Sequence, residues 1–357
     1  MVLSSFFKEE DTFVGVDIRE NVIHLVELDV TEEGTILENF GTIKIDGSVM
    51  NNHIIVSPEQ LSEPLSILLS TNEALDSKVV ACLPGPTVFT KKIRMQKMPH
   101  NELQDIVQLE AGNFIPHSMS DVKLDFHILS ELEGDMLEVL VVAVKSEVVD
   151  GVMGAFSGAE IEPAILDIDY YALQNAFEHA YPELFDSTVA LIHYGERSTL
   201  INIVEEGKSL IVGSITAGSF NLIDELSSQL HTTRTESFQL LADYSNNAEV
   251  GGVLSESMNR HAEEIARQLS FLWTSVGVEH GISKAFVSGS AANTVGLVES
   301  ISSAIKLECD LLNPIKNITI GEDVDPEVIH DLSSHISIAC GLALRKLGDR
   351  FIPEDMK

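Results

Sequence analysis

Basic residues are scarce in this chain: 22 Lys and Arg stand against 56 Asp and Glu over 357 residues, a formal charge of −34. A surface that acidic repels nucleic acid and anionic lipid, so neither is expected as a direct partner. Cysteine is rarer still. Cys82, Cys309 and Cys340 lie far apart, each in an apolar setting, with no pair at metal-ligand spacing. That excludes a disulfide framework and a thiolate metal site, and it suits a reducing compartment. Long apolar runs are missing too: the longest, residues 139–144, falls far short of a membrane span. Residues 1–11 have neither the apolar length nor the basic flank of a secretion signal. The expectation is a soluble, cytoplasmic protein with no direct membrane insertion; if it visits a membrane, another protein takes it there. Hydrophobic residues make up 44% and run along the whole length, enough for a packed core in more than one domain.

What is present is organised around residues 13–28, FVGVDIRENVIHLVEL. Two segments rich in Val and Ile, 13–18 and 22–28, flank the turn Arg19-Glu20-Asn21 and predict a β-hairpin. Side chains alternate along a strand, so Asp17 shares a face with Gly15. A carboxylate at a strand end, leading into a turn of backbone amides, suits a hydrated metal and a phosphate. A lone surface Asp is the plainer reading, and a second copy weighs against it. Residues 189–204, VALIHYGERSTLINIV, again predict strand, turn and strand. Aligning the turns sets Asp17 over His193, Arg19 over Gly195, Glu20 over Glu196 and Asn21 over Arg197. Two such hairpins, each opening one half of the chain, predict two lobes facing a cleft. The pattern resembles the α/β, actin-like (ribonuclease H-like) ATPase fold, where paired hairpins clamp the phosphates of one nucleotide.

Between the hairpins, residues 57–70 predict a helix with Ser57 as cap, Pro58 in the first turn and Leu61, Leu65, Leu68 and Leu69 on one face. Pro64 argues against an unbroken helix there. A strand over 78–83 stops at Pro84-Gly85-Pro86. Then come a strand at 87–95 and a helix at 101–114, with Leu103, Ile106, Val107 and Phe114 on one face and Glu110 either at its edge or aimed at a partner group. Strands at 122–129 and 136–145 and a helix at 147–157 complete an α+β subdomain inserted over residues 87–158. A strand at 164–167 leads to a helix with Asp167 or Asp169 near its start, as cap or as holder of a metal-bound water.

In the second half, residues 216–219 feed a helix at 221–230, either as a plain connection or as an anion-accepting N-terminus. The helix at 255–276 has Met258, Ala262, Ile265, Leu269, Leu272 and Val276 on its core face, with His261 at the rim. Small residues at 288–292, after a strand at 284–287, either cap a helix or admit a flat ring. A last helix is predicted over 332–347. The expected domains are a first actin-like subdomain (11–86, 159–187 and 328–357), the insertion (87–158), a second-lobe core (188–225 and 281–327) and a helical subdomain (226–280).

Several short motifs recur in one order: Gly15-Val16-Asp17-Ile18, Val26-Glu27-Leu28, Leu83-Pro84-Gly85, Met98-Pro99, Glu102-Leu103, Glu110-Ala111 and Phe114-Ile115-Pro116. With Asp125, the strand at 139–143, Asp167-Ile168-Asp169 and Ala172-Leu173, they resemble the PilM family, cytoplasmic actin-like proteins of type IV pilus assembly. FtsA and GspL share that fold, but neither an amphipathic C-terminal tail like that of the first nor a transmembrane segment like that of the second is expected from this sequence. The resemblance implies an adaptor that binds ATP with Mg between its halves. It also implies a hold on the cytoplasmic N-terminal peptide of a PilN-like single-span inner-membrane protein, and through it a link to the pilus assembly motors.

On that resemblance, nucleotide contacts fall to Asp17, Arg19, Asn21, His24, Gly195, Ser198, Thr199, Ala217, Gly218, Gly289, Ser290 and Ala291, and metal contacts to Asp17 and Asp169. The peptide groove falls to Thr87, Phe89, Ile93, Glu110 and Phe114. The chain departs from the family where phosphate would bind. Arg19 and Glu20 replace Gly and Ser, His24 replaces the usual Lys, and His193 replaces an acid. Ala217-Gly218 and Gly289-Ser290 replace paired glycines. Arg19 fills space that glycine leaves to phosphate, although a guanidinium can itself pair with one. Hydrolysis is therefore expected to be absent or very slow, with nucleotide binding weakened. The alternative is an active ATPase or sugar-kinase-like phosphotransferase of the same fold, with Asp169 as base and no second acid at His193.

Overall fold

The computed structural model describes residues 13–242, 248–277, 280–349 and 352–353. The segment 1–11, read above for a secretion signal, lies outside the described residues. The first hairpin is β1 (Phe13–Ile18) and β2 (Val22–Thr31), followed by β3 (Gly34–Lys44), a small ladder of β4 (Met50–Asn51) and β5 (Ile54–Ile55), helix α1 (Glu59–Thr71) and β6 (Lys78–Leu83). The insertion holds β7 (Val88–Gln96), α2 (His100–Ala111), β8 (Val122–Leu132), β9 (Met136–Lys145) and α3 (Ser146–Gly158). Then β10 (Ile165–Ile168) and α4 (Asp169–Ala180) return to the first lobe.

The second lobe has β11 (Val189–Tyr194), β12 (Thr199–Glu205), β13 (Lys208–Ile215), α5 (Ser219–Leu230), α6 (Arg234–Ala242), α7 (Ala248–Val276), β14 (Lys284–Ser288), α8 (Leu297–Ile305) and β15 (Cys309–Leu311). The chain ends through β16 (Ile318–Ile320), α9 (Pro326–Leu332) and α10 (Ser337–Ala343).

The two large sheets repeat one plan. Their strand orders are β10-β6-β1-β2-β3-β16 and β13-β12-β11-β14-β15. In both, the hairpin's first strand pairs antiparallel with the second and parallel with a later one, β6 or β14. β16, which the sequence reading placed in the second lobe, instead pairs parallel with β3 in the first sheet. Helices α4 and α10 lie between the sheets, in a core that joins Phe13, Phe177, Leu191, Phe286, Ile338 and Leu342. α10 approaches β1 so closely that a Cβ at Gly15 would overlap the Ala339 carbonyl and the Ala343 amide. The glycine is there for the helix and not for a ligand.

Packing explains where the local expectations fail. α1 starts at Glu59, with Pro58 rather than Ser57 at the cap and no side-chain capping bond. It runs through Pro64 unbroken. An interior proline costs about 3 kcal/mol. Leu61, Leu65, Leu68 and Leu69 are all buried, each contributing roughly 2 kcal/mol, so burial wins. In α2, Leu103 and Val107 are buried while Ile106 is exposed, and Phe114 lies past the helix end. The last helix, expected over 332–347, is confined to α10, and a short helix the sequence did not suggest, α9, precedes it, with residues 333–336 between them. The hydroxyls of Ser333 and Ser337 bond to the carbonyls of His330 and Ser334 and compete with helical pairing.

The insertion is a three-stranded sheet ordered β7-β9-β8 with its own core around Leu103, Val107, Ile128, Leu137 and Val139. Lys92 Nζ donates to the Ser209 carbonyl across the molecule at 2.8 Å. Among the described residues, no helix is long and apolar enough to cross a membrane.

Candidate functional site

The two hairpin turns meet at a narrow crevice walled by Arg19, Glu20, His53, Asp169, Glu196 and Arg197, with a cavity of about 30 Å³. Asp17 is fully buried at the end of β1. Its Oδ2 accepts from Arg19 Nε at 2.7 Å, and Cys82 Sγ lies 3.5 Å from its Oδ1. The same arginine puts Nη1 3.6 Å from Asp169 Oδ2, while its Nη2 is buried without a hydrogen-bond partner. Burial works against the charged guanidinium, but Asp17, Cys82 and Asp169 together outweigh it and hold its pKa above the ordinary value.

Neither aspartate near the start of α4 is its cap, since Ile168 holds that position with no side-chain bond. Asp169 Oδ1 accepts the Gly85 N–H at 2.9 Å, and burial, opposed by Arg19, pushes its carboxyl up to about 6. Asp167 pairs with Arg345 instead.

His24 faces Asp17 across the hairpin, buried, with Nδ1 unpartnered. Burial, against the pull of Asp17, drives it down to about 4, so it is neutral. His193 holds the register position on β11 that Asp17 holds on β1. Its Nδ1 lies 3.1 Å from Ser288 Oγ, and burial together with Arg19 keeps it well below the usual histidine range. Asn21 turns its carbonyl to the Ile45 N–H at 3.0 Å and is not a wall of the crevice.

In the second lobe, Gly195 and Ser198 line the crevice, closed on each other by the Gly195 N–H to Ser198 carbonyl bond at 3.1 Å. Thr199 Oγ1 donates to the Ala217 carbonyl. Gly218 is pressed against the turn, where any Cβ would overlap the carbonyls of Gly195 and Glu196. Those carbonyls also take the first amides of α5: Ser219 N–H donates to Gly195 and Phe220 N–H to Glu196, both at 2.9 Å. Of the two readings of residues 216–219, the plain connection is what forms, because the donors an anion needs are used internally. Gly289, at φ +108, backs onto Tyr194, Ser290 Oγ lies 3.0 Å from Ser219 Oγ, and Ala291 is buried. These small-residue loops touch each other and are not walls of the crevice.

A second, larger cavity of about 210 Å³ lies where the insertion meets the first lobe. Of the residues assigned to a peptide groove, Thr87 and Phe89 wall this cavity, joined by Asn52, Ile54, His117 and Lys145. Phe114 stacks on Phe89 from behind, with ring centres 6.1 Å apart. Ile93 packs into the insertion's core, and Glu110 is exposed on α2; neither lines the cavity. The residues that sequence reasoning missed come from separate segments. Asn52, with φ +48 beside His53 at φ +69, carries the one local signal, an Asn-Asn-His turn.

Comparison with known proteins agrees with this architecture. A family model described as type IV pilus assembly protein PilM matches residues 15–347. A solved PilM-PilN type IV pilus biogenesis complex superposes with a TM-score of 0.82 at 22% identity, covering 93% of this chain and 97% of that one. The ethanolamine utilization protein EutJ from Carboxydothermus hydrogenoformans follows at 0.59 and 15%, covering 94% and 90%. MreB5 of Spiroplasma citri bound to ADP stands at 0.51 and 11%, covering 93% and 95%.

Proposed function

The chain belongs to the PilM family of type IV pilus assembly proteins, and from that premise we propose that it is an adaptor of the inner-membrane assembly platform. It holds the cytoplasmic N-terminal peptide of a PilN-like single-span protein, and that partner recruits it to the membrane and toward the assembly motors. The observation that carries the reading is the 210 Å³ cavity at the seam of the insertion, with apolar walls at Ile54 and Phe89 and polar groups at Asn52, His117 and Lys145. A mostly apolar cleft with a few fixed polar groups suits a short peptide. A solved relative is itself a PilM-PilN complex.

The test is calorimetric titration of a synthetic peptide spanning the cytoplasmic segment of the source organism's PilN-like protein. The wild type is expected to bind, and Phe89→Ala to bind about tenfold more weakly. Leu109→Ala, exposed on α2, should change nothing. Equal binding by Phe89→Ala would place the peptide elsewhere.

The residues at the crevice do not fit a magnesium nucleotide. The cavity has room for about two waters. Glu20, Asp169 and Glu196 wall it and Asp17 lies beneath, against only Arg19 and Arg197, so a triphosphate would add negative charge to an acidic setting. The side chain that stands between Asp17 and Asp169 is a guanidinium. An active phosphotransferase finds no support here, because its one candidate base, Asp169, is already bonded to Gly85 and paired with Arg19.

A further inference from the structure

The crevice and the groove share a wall. Pro86 lines both, and Thr87, the next residue, lines the groove. Gly85, which opens that turn, donates its N–H to Asp169 Oδ1 at 2.9 Å, and a Cβ on Gly85 would come within 2.7 Å of that same oxygen. Asp169 offers its other oxygen to Arg19, which also holds Asp17. An unbroken line of contacts therefore runs from Arg19 through Asp169 and Gly85 to the groove wall. On the opposite rim, His53 faces the crevice while its neighbour Asn52 faces the groove.

Two buried carboxylates side by side need a cation, because neither water nor distance relieves their repulsion. Here the cation is part of the chain. We propose that Arg19 is a resident counter-ion that takes the place of a metal at Asp17 and Asp169, and that it thereby fixes the turn at residues 85–87 so that the peptide groove is formed with no nucleotide bound. Arg19 is in this sense a positioning residue, acting on the partner site through Asp169 and Gly85. The inference rests on the groove being the partner site.

Two features follow from the chemistry. A lysine at position 19 keeps the charge but not the fork that spans two carboxylates, so it should serve partly. A neutral, short residue there leaves two carboxylates that a hard divalent cation can bridge, so the lost function should return with metal.

The same synthetic peptide is titrated into wild type, Arg19→Ala and Arg19→Lys, each with EDTA and with Mn2+. The wild type is expected to bind equally in both. Arg19→Ala should bind about tenfold more weakly in EDTA and recover most of that with Mn2+; Arg19→Lys should fall between them, with little response to Mn2+. Wild-type affinity in Arg19→Ala, or a loss that Mn2+ leaves unrestored, would overturn the proposal, as would a wild type that needs Mn2+.

Should Arg19→Ala not fold, Asp169 gives a second reading. Asp169→Asn keeps an acceptor for the Gly85 N–H and should bind near wild type, whereas Asp169→Ala should be about tenfold weaker. Equal affinities for the two would also overturn it. A wild type that binds no peptide at all condemns the groove reading itself and takes this inference with it.

Discussion

Arg197, in the turn of the second hairpin, holds its Nε 2.9 Å from Glu20 Oε2 in the turn of the first. The two turns that align in sequence thus touch in space, and the ion pair bridges the lobes across the crevice. Glu20 is buried while Arg197 is nearly half exposed, so the pair is asymmetric. Removing the arginine strands a buried carboxylate; removing the carboxylate leaves a cation that water can reach. Arg197→Ala is therefore expected to lower stability by about 1–2 kcal/mol, discounted for the exposed partner, and Glu20→Gln by less. Urea unfolding of both variants checks this, and the reverse order would contradict it.

The crevice also sets a pH dependence. His24 titrates near its ordinary value of 6.5 when unfolded and at about 4 when folded. The unfolded chain then binds the extra proton, so the stability is fully present above pH 6.5 and is lost as pH falls toward 4. The gap corresponds to about 3 kcal/mol. Asp169 acts the other way, its raised carboxyl contributing stability at low pH that is lost as pH rises through about 6. Urea midpoints of wild type and His24→Asn between pH 7 and 4 should converge as pH falls. Parallel curves would show that His24 does not titrate in this way.

Gly15 tests the seat of α10. Gly15→Val would drive a side chain into the backbone at Ala339 and Ala343, where no rotamer avoids the clash. A loss of about 3 kcal/mol or more is expected from thermal or urea unfolding. A near-neutral result would mean that α10 does not sit against β1 as described.

Both hairpins were legible because their evidence is local: alternation, β-branched residues and a short turn lie within about sixteen residues, and the repeat doubles the signal. The insertion was legible for the same reason, since each of its elements carries its own periodicity. The break between α9 and α10 was not, because Ser333 and Ser337 read as tolerable helix residues until their hydroxyl bonds to the His330 and Ser334 carbonyls are seen. Position 19 was recognised as unusual, but its partner Asp169 lies 150 residues on, and no pattern near either one pairs them. The anion reading of residues 216–219 could not be settled from sequence either, since the carbonyls that occupy the α5 amides come from Gly195 and Glu196. The groove draws on segments around 52, 87, 117 and 145, and only folding gathers them.

Hydrolysis is a separate prediction. Purified protein with Mg-ATP should release phosphate far below about 1 per second, the low end of ordinary turnover. A phosphate-release assay at or above that rate would mean that Arg19 leaves the crevice when nucleotide arrives.

The most direct measurement is the affinity of the PilN-like peptide for the intact chain, taken once without nucleotide and once with Mg-ATP in large excess. The account predicts binding in both, with affinities that agree. Binding that appears only with Mg-ATP, or in neither condition, would contradict it.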